Sequence, residues 1–182
     1  MFDLLISSLY LFLPAYIANM APVVATKVNI FPRLNVPIDG SNKDTMRPLF
    51  GVNKTYRGFV TGILAGVGVA FLQLLVRRNG AGRLFTEFPY TYENFLLWGL
   101  VLGAGALIGD LVKSYFKRRL NIPSGHRWLP WDQLDMVLGG LLFGSLMYRF
   151  SWQQVVVLLV VSPLLILIVN LVSYWLKIKK EW

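Results

Sequence analysis

An apolar run from Phe95 to Ile108 continues without a break into Gly109-Asp110-Leu111, and that continuity constrains the chain more than any other feature. A helix through both rises about 1.5 Å per residue, which puts Asp110 about 22 Å from the start of the run, inside a hydrocarbon layer of about 30 Å. A carboxylate at such a depth costs on the order of 3 kcal/mol or more and persists only beside a partner or a polar cavity. Partners follow on the same helix face. Asp110, Lys113, Ser114 and Lys117 fall at i, i+3, i+4 and i+7, with Arg118 at the edge. After a short polar connector comes Pro130-Trp131-Asp132-Gln133-Leu134-Asp135, in which proline opens a new helix and two aspartates share its first turns. Three carboxylates, Asp110, Asp132 and Asp135, ringed by lysine and arginine describe a metal and phosphate site. The plainer alternative has Lys113 neutralising Asp110 between packed helices and Lys117-Arg118-Arg119 forming a basic boundary. That accounts for one aspartate and leaves two.

Hydrophobic residues make up 55% of the 182 positions. The chain is therefore too apolar for a water-soluble domain and too short for two large ones; a single integral membrane domain over residues 1–182 is expected. It reads as all-α and polytopic, with five spans at about 4–24, 58–76, 95–116, 132–150 and 155–175. The fourth reaches spanning length only if its helix begins near Asp132 and runs to Phe150. Pro14 and Pro22 in the first span and Pro163 in the fifth predict kinks or local unwinding that neighbouring helices accommodate. Glycines recur every four residues at Gly58, Gly62 and Gly66, at Gly99 and Gly103, at Gly105 and Gly109, and at Gly140 and Gly144, marking faces where helix backbones approach closely in lipid. The amino-terminal run has no basic region ahead of it and reads as a retained span rather than a cleaved signal. The absence of cysteine and the single histidine, His126, exclude thiolate and histidine-rich zinc centres. Hard cations with oxygen ligands remain.

Lysine and arginine set the orientation. With the amino terminus outside, 14 of the 18 fall on the inner face, which predicts an external N-terminus, a cytoplasmic C-terminus and cytoplasmic loops at 27–57 and 117–131. The external loop from Arg77 to Glu93, with Phe85, Phe88, Tyr90 and Tyr92, reads as an interfacial aromatic anchor. The first internal loop closes on Phe50-Gly51-Val52-Asn53-Lys54-Thr55-Tyr56-Arg57-Gly58. Asn53, Thr55 and backbone N–H groups at a helix start suit phosphate oxygens, and Lys54 and Arg57 supply charge. A helix cap with basic topology residues is the alternative reading of the same segment.

Two of these motifs carry a family resemblance. Asn53-Lys54-Thr55-Tyr56-Arg57-Gly58 resembles the Lys-Thr-aromatic-Glu-Gly element of phosphatidate cytidylyltransferases, and Gly109-Asp110-Leu111 with Ser114, Lys117 and Arg118 resembles their Gly-Asp-Leu, Ser and Lys-Arg element. Ser124-Gly125-His126 and Asp132-Gln133-Leu134-Asp135 are similar to their Gly-His and Asp-Arg-x-Asp close. Arg57 stands for the usual Glu, Lys113 for an acidic residue and Gln133 for Arg, and the chain is shorter than is usual there. Those departures make it similar to the archaeal branch, CTP-dependent enzymes acting on an unsaturated diether glycerol phosphate. The likeness covers roughly Arg47 to Gly140.

The resemblance implies a lipid phosphomonoester attacking the α-phosphate of CTP with loss of pyrophosphate, so that no Ser or Cys nucleophile is needed. It implies Mg²⁺ held by Asp110, Asp132 and Asp135. Lys113 and Lys117 join the three aspartates as catalytic residues. Asn53, Lys54, Thr55, Arg57, Ser114, Arg118, Ser124, Gly125 and His126 are the expected nucleotide contacts. The expected partners are CTP, a membrane lipid phosphate and the bilayer, with no nucleic acid and a homodimer allowed. A CDP-alcohol phosphotransferase is the nearest alternative, but its dense run of aspartates at four-residue spacing is absent, with Gly139 where Asp135 would be continued. An ion-coupled transporter would use Asp110 as an ion ligand, yet no inverted repeat is visible.

Overall fold

A computed structural model describes residues 2–40, 48–80, 85, 88–123, 126 and 128–175, and side chains over that range except at 169–174. Five α-helices follow one another: α1 (Phe2–Val28), α2 (Tyr56–Arg78), α3 (Phe95–Arg119), α4 (Trp131–Gly144) and α5 (Trp152–Trp175), with a short 3-10 turn at Pro32–Leu34. Among the described residues the only extended pairing is one bridge between Pro37 and Thr55. Helices α1, α2 and α3 are long and apolar enough to cross a membrane, and α5 is apolar from Trp152 to Ile168. The protein is an all-helical, multi-pass membrane protein.

The fourth helix differs from expectation. It ends at Gly144 and does not run to Phe150. Its 14 residues amount to about 21 Å, short of the hydrocarbon thickness. Side-chain packing stops it. Leu146 and Met147 turn back onto the carbonyls of Phe143 and Gly144, and the reversed chain delivers Tyr148 and Phe150 to an aromatic cluster. There Phe88 stacks on the fully buried Trp98 with centroids 4.4 Å apart, and Tyr148 meets Phe88 edge-on at 5.8 Å. Ser151 and Gln154 then exchange side-chain and backbone bonds in a reciprocal cap that starts α5.

The prolines of α1 leave the helix unbroken. Pro14 has no N–H for the carbonyl of Tyr10, and the amide of Gln73 on α2 donates to that oxygen instead. Gln73 also accepts from the Tyr90 hydroxyl at 3.0 Å. Burial raises the pKa of that phenol well above the ordinary tyrosine range and keeps it a donor.

Two of the glycine faces lie where helices touch most closely. A Cβ at Gly99 of α3 would stand 2.5 Å from the α2 backbone at Val67. At Gly109 it would stand 2.1 Å from the carbonyl oxygen of Asp135 on α4. The second contact lies one residue from Asp110 and sets the distance between the two helices that carry the aspartates.

Candidate active site

One end of the bundle gathers the polar residues. It comprises the end of α1, the loop before α2, the end of α3 and the start of α4. The loop is tied down by backbone bonds from Ile38 N to Lys54 O at 2.8 Å and from Tyr56 N to Val36 O at 3.0 Å. Asp39 accepts from the N–H groups of Phe50 and Gly51 at 2.6 and 3.1 Å. Gly51 has φ +97°, in the left-handed region, and turns the chain beside the Arg118 side chain. These bonds aim Lys54 across the bundle at Asp110, with which it forms an ion pair.

The three expected carboxylates meet. Lys113 Nζ lies 2.9 Å from Asp110 Oδ1, 3.2 Å from Asp132 Oδ1 and 2.6 Å from Asp135 Oδ2. Its three N–H donors are matched by three carboxylates from two helices. Lys117 extends the network to Asp132 at 3.1 Å and donates to the backbone carbonyl of His126. The backbone N–H of Trp128 also donates to Asp132 and so anchors the first turn of α4. Lys54, Lys113 and Lys117 thus balance Asp110, Asp132 and Asp135 charge for charge, with side-chain exposures between 6% and 25%. In such a half-buried network the loss of one lysine is felt most at Asp135, which pairs with Lys113 alone, whereas Asp110 and Asp132 each have two lysines.

The sequence placed a metal ion at this convergence, and the structure places the Lys113 ammonium there. Among the described residues no group of three or more Asp, Glu, His or Cys stands ready to hold a metal ion. The donors nonetheless fit a hard divalent cation in kind: three carboxylates converge on one cationic centre, and only their spacing is that of an ammonium.

The expected nucleotide contacts divide. Lys54 belongs to the cluster. Thr55 instead caps α2, its hydroxyl accepting from Gly58 N at 3.2 Å. Arg57 is buried and donates to Asn29 and Thr26 at 3.3 Å each, tying α2 to the end of α1. Ser114 is buried and bonds back to the Asp110 carbonyl at 2.8 Å. For these three, local structure engages polar atoms that were expected to face phosphate, while Arg57 Nε stays buried without a hydrogen-bond partner. Asn53 lies exposed in the turn before α2, and the His126 side chain is exposed while its carbonyl serves Lys117. Arg118 lies at the cluster's edge, its Nε buried without a hydrogen-bond partner. Ser124 and Gly125 lie outside the described residues.

One residue at this end escaped the sequence reading, and a second was read only as a place in a motif. Asp39 had a signal, since Pro37-Ile38-Asp39-Gly40 is a turn sequence whose aspartate accepts from backbone N–H groups. Gln133, between the two aspartates of α4, is buried with Oε1 lacking a hydrogen-bond partner, and no local pattern announces that.

The whole chain, residues 1–182, matches the family model for CarS-like CDP-archaeol synthase. The chain belongs to the CDP-archaeol synthase family. Its relatives include the CDP-archaeol synthases of Methanocaldococcus jannaschii, 34% identical over 100% of this chain and 98% of the relative, and of Methanospirillum hungatei, 36% identical over 92% and 98%. The Thermococcus kodakarensis CDP-archaeol synthase is 38% identical over 83% of this chain and 80% of its own. A solved intramembrane enzyme for archaeal membrane lipids biosynthesis superposes with a TM-score of 0.70 at 30% identity, covering 90% of this chain and 92% of the other. CDP-archaeol synthases are membrane cytidylyltransferases of archaeal lipid biosynthesis, and this chain matches that family along its whole length. The overall fold is thus one that this chain shares with that solved intramembrane enzyme.

Proposed function

We propose that this protein transfers CMP from CTP to an unsaturated diether glycerol phosphate, giving CDP-archaeol and pyrophosphate, at the cytoplasmic face of the cell membrane. The observation that carries the reading is the convergence of three carboxylates and three lysines on one end of a membrane bundle, in a chain of this family. The lipid phosphate is already an oxyanion. Its oxygen bonds to the α-phosphorus of CTP as the bond from that phosphorus to the pyrophosphate oxygen breaks, so the protein has to supply position and positive charge. Lys54, Lys117 and Arg118 lie where a triphosphate entering beside the cluster meets three cations. Asp110, Asp132 and Asp135 are the residues that would hold Mg²⁺, which when bound would supply further positive charge for the transfer. Lys54 is aimed by the loop that Asp39 orders, and Asp132 by the Trp128 N–H and Lys117. A site inside the bundle suits a substrate whose chains stay in the bilayer.

Five spans, an external N-terminus and a cytoplasmic C-terminus complete the proposal, with α4 and the turn after it together making the fourth crossing. Cysteines introduced at Ser41 and Gly82 should react with an impermeant reagent from opposite sides of sealed membranes; reaction from one side refutes the orientation. The activity itself is tested with purified protein, CTP labelled at the α-phosphate, Mg²⁺ and the diether phosphate. A labelled CDP-lipid with equimolar pyrophosphate is the expected result. Release of CMP with no lipid product would refute transfer to lipid.

A further inference from the structure

The reading of the cluster as a metal and nucleotide site leaves one group with two claims on one place. Lys113 uses all three of its N–H donors on the three carboxylates expected to bind the metal, at 2.6 to 3.2 Å. An ammonium and a divalent cation do not share one point, since two positive centres about 3 Å apart repel strongly in so dry an environment. The cluster is also balanced already, three lysines against three aspartates. A free divalent cation arriving there meets carboxylates that are neutralised and hydrogen-bonded. It gains only the difference between its own attraction and the ammonium's.

We propose that the Lys113 ammonium and the divalent cation compete for Asp110, Asp132 and Asp135, so that Lys113 makes metal binding conditional on the nucleotide. This rests on the metal reading above. A triphosphate beside Lys54, Lys113 and Lys117 offers the lysines new anionic partners. Lys113 stands one turn from Lys117 on the same face of α3, and its four-carbon stem lets the ammonium swing from the carboxylates to phosphate while its Cα stays fixed. The carboxylates it leaves then take the metal. Because the coupling is reciprocal, metal and nucleotide each raise the affinity for the other. Lys113 would act as an internal counter-ion that keeps the aspartates ionised and converged, and that prevents the metal from settling alone.

The test reads metal binding without nucleotide. Mn²⁺ affinity is measured by electron paramagnetic resonance on detergent-purified wild type and on Lys113→Met, which keeps the length of the side chain and removes its charge. The competing charge gone, Lys113→Met should bind Mn²⁺ roughly tenfold more tightly or better, and adding Asp135→Asn to that variant should abolish the gain. Equal or weaker Mn²⁺ binding by Lys113→Met than by wild type overturns the competition. If neither protein binds Mn²⁺, and wild type still binds none with a non-hydrolysable CTP analogue present, the metal reading fails and the competition with it. Lys113→Met strands Asp135, whose ion pair is with Lys113, while Asp110 keeps Lys54 and Asp132 keeps Lys117, so its yield and melting temperature are followed against Mg²⁺ as well. A melting temperature that rises with Mg²⁺ far more than that of wild type supports the exchange of one cation for another. A variant that no divalent cation restores refutes it.

Discussion

The two ends of the helical bundle solve the same problem, polar groups inside a membrane protein, by different chemistry. At one end Gln73 holds the Tyr10 carbonyl that Pro14 cannot reach, Tyr90 donates to Gln73, and Arg77 donates to the Phe88 carbonyl at 2.8 Å. Each bond there serves a fixed backbone or amide group, and packed aromatic rings, one pair stacked and two edge-on, seal them. At the other end long, flexible lysines hold carboxylates in a network built mainly of ion pairs. The first arrangement has one low-energy state. The second, on the proposal above, has partners that can exchange, because a lysine released from aspartate would find equal use on phosphate. A comparison of this kind separates stability from function: changes at the aromatic end should cost folding free energy, and changes at the ionic end should cost chemistry.

The largest expected loss of stability tests the aromatic end. Trp98 is fully buried among Phe88, Tyr148 and Phe150, so Trp98→Ala should cost about 3–5 kcal/mol in a reversible unfolding assay while the protein that remains folded transfers at the normal rate. A drop in turnover per folded molecule would show that the two ends are coupled. Gln73→Leu should cost about 1–3 kcal/mol, because it strands the Tyr10 carbonyl and the Tyr90 hydroxyl together. Here too, unchanged kinetics per folded molecule are expected. Lys54→Ala should barely move the melting temperature, about 1 kcal/mol or less for a partly exposed pair. Asp110 keeps Lys113 in that variant. Its CTP KM should nevertheless rise roughly tenfold, the loss of one charged phosphate contact. A large stability loss with normal KM would move Lys54 into the structural class.

Between these ends the sequence was legible in unequal measure. The face of α3 was plain because Asp110, Lys113, Ser114 and Lys117 repeat at helical spacing, and any helix through them presents them together. The meeting with Asp132 and Asp135 was legible for a topological reason: a connector from Asn121 to Pro130 returns α4 beside α3, and Gly109 admits the close contact. What occupied the meeting point was not, because choosing between ammonium and metal depends on three-dimensional distances of a few tenths of an ångström. The end of α4 at Gly144 was hidden for another reason. Nothing local forbids helix through Leu146 and Met147, and the turn is imposed by Trp98 and Phe88, both remote in sequence. Thr55 and Arg57 show the reverse case, where a motif read for its chemistry also serves a cap and an inter-helix tie.

The central claim is that Asp110, Asp132 and Asp135 act as one divalent-metal site for transfer, and the direct measurement is the Mg²⁺ dependence of lipid cytidylylation in Asp110→Asn, Asp132→Asn and Asp135→Asn. Each substitution keeps the size of the side chain and removes a ligand charge. Each should lower transfer by about a thousandfold or more and raise the Mg²⁺ concentration needed for what remains, as expected when a metal ligand is lost. Near-normal rates with an unchanged Mg²⁺ requirement in all three would contradict the account.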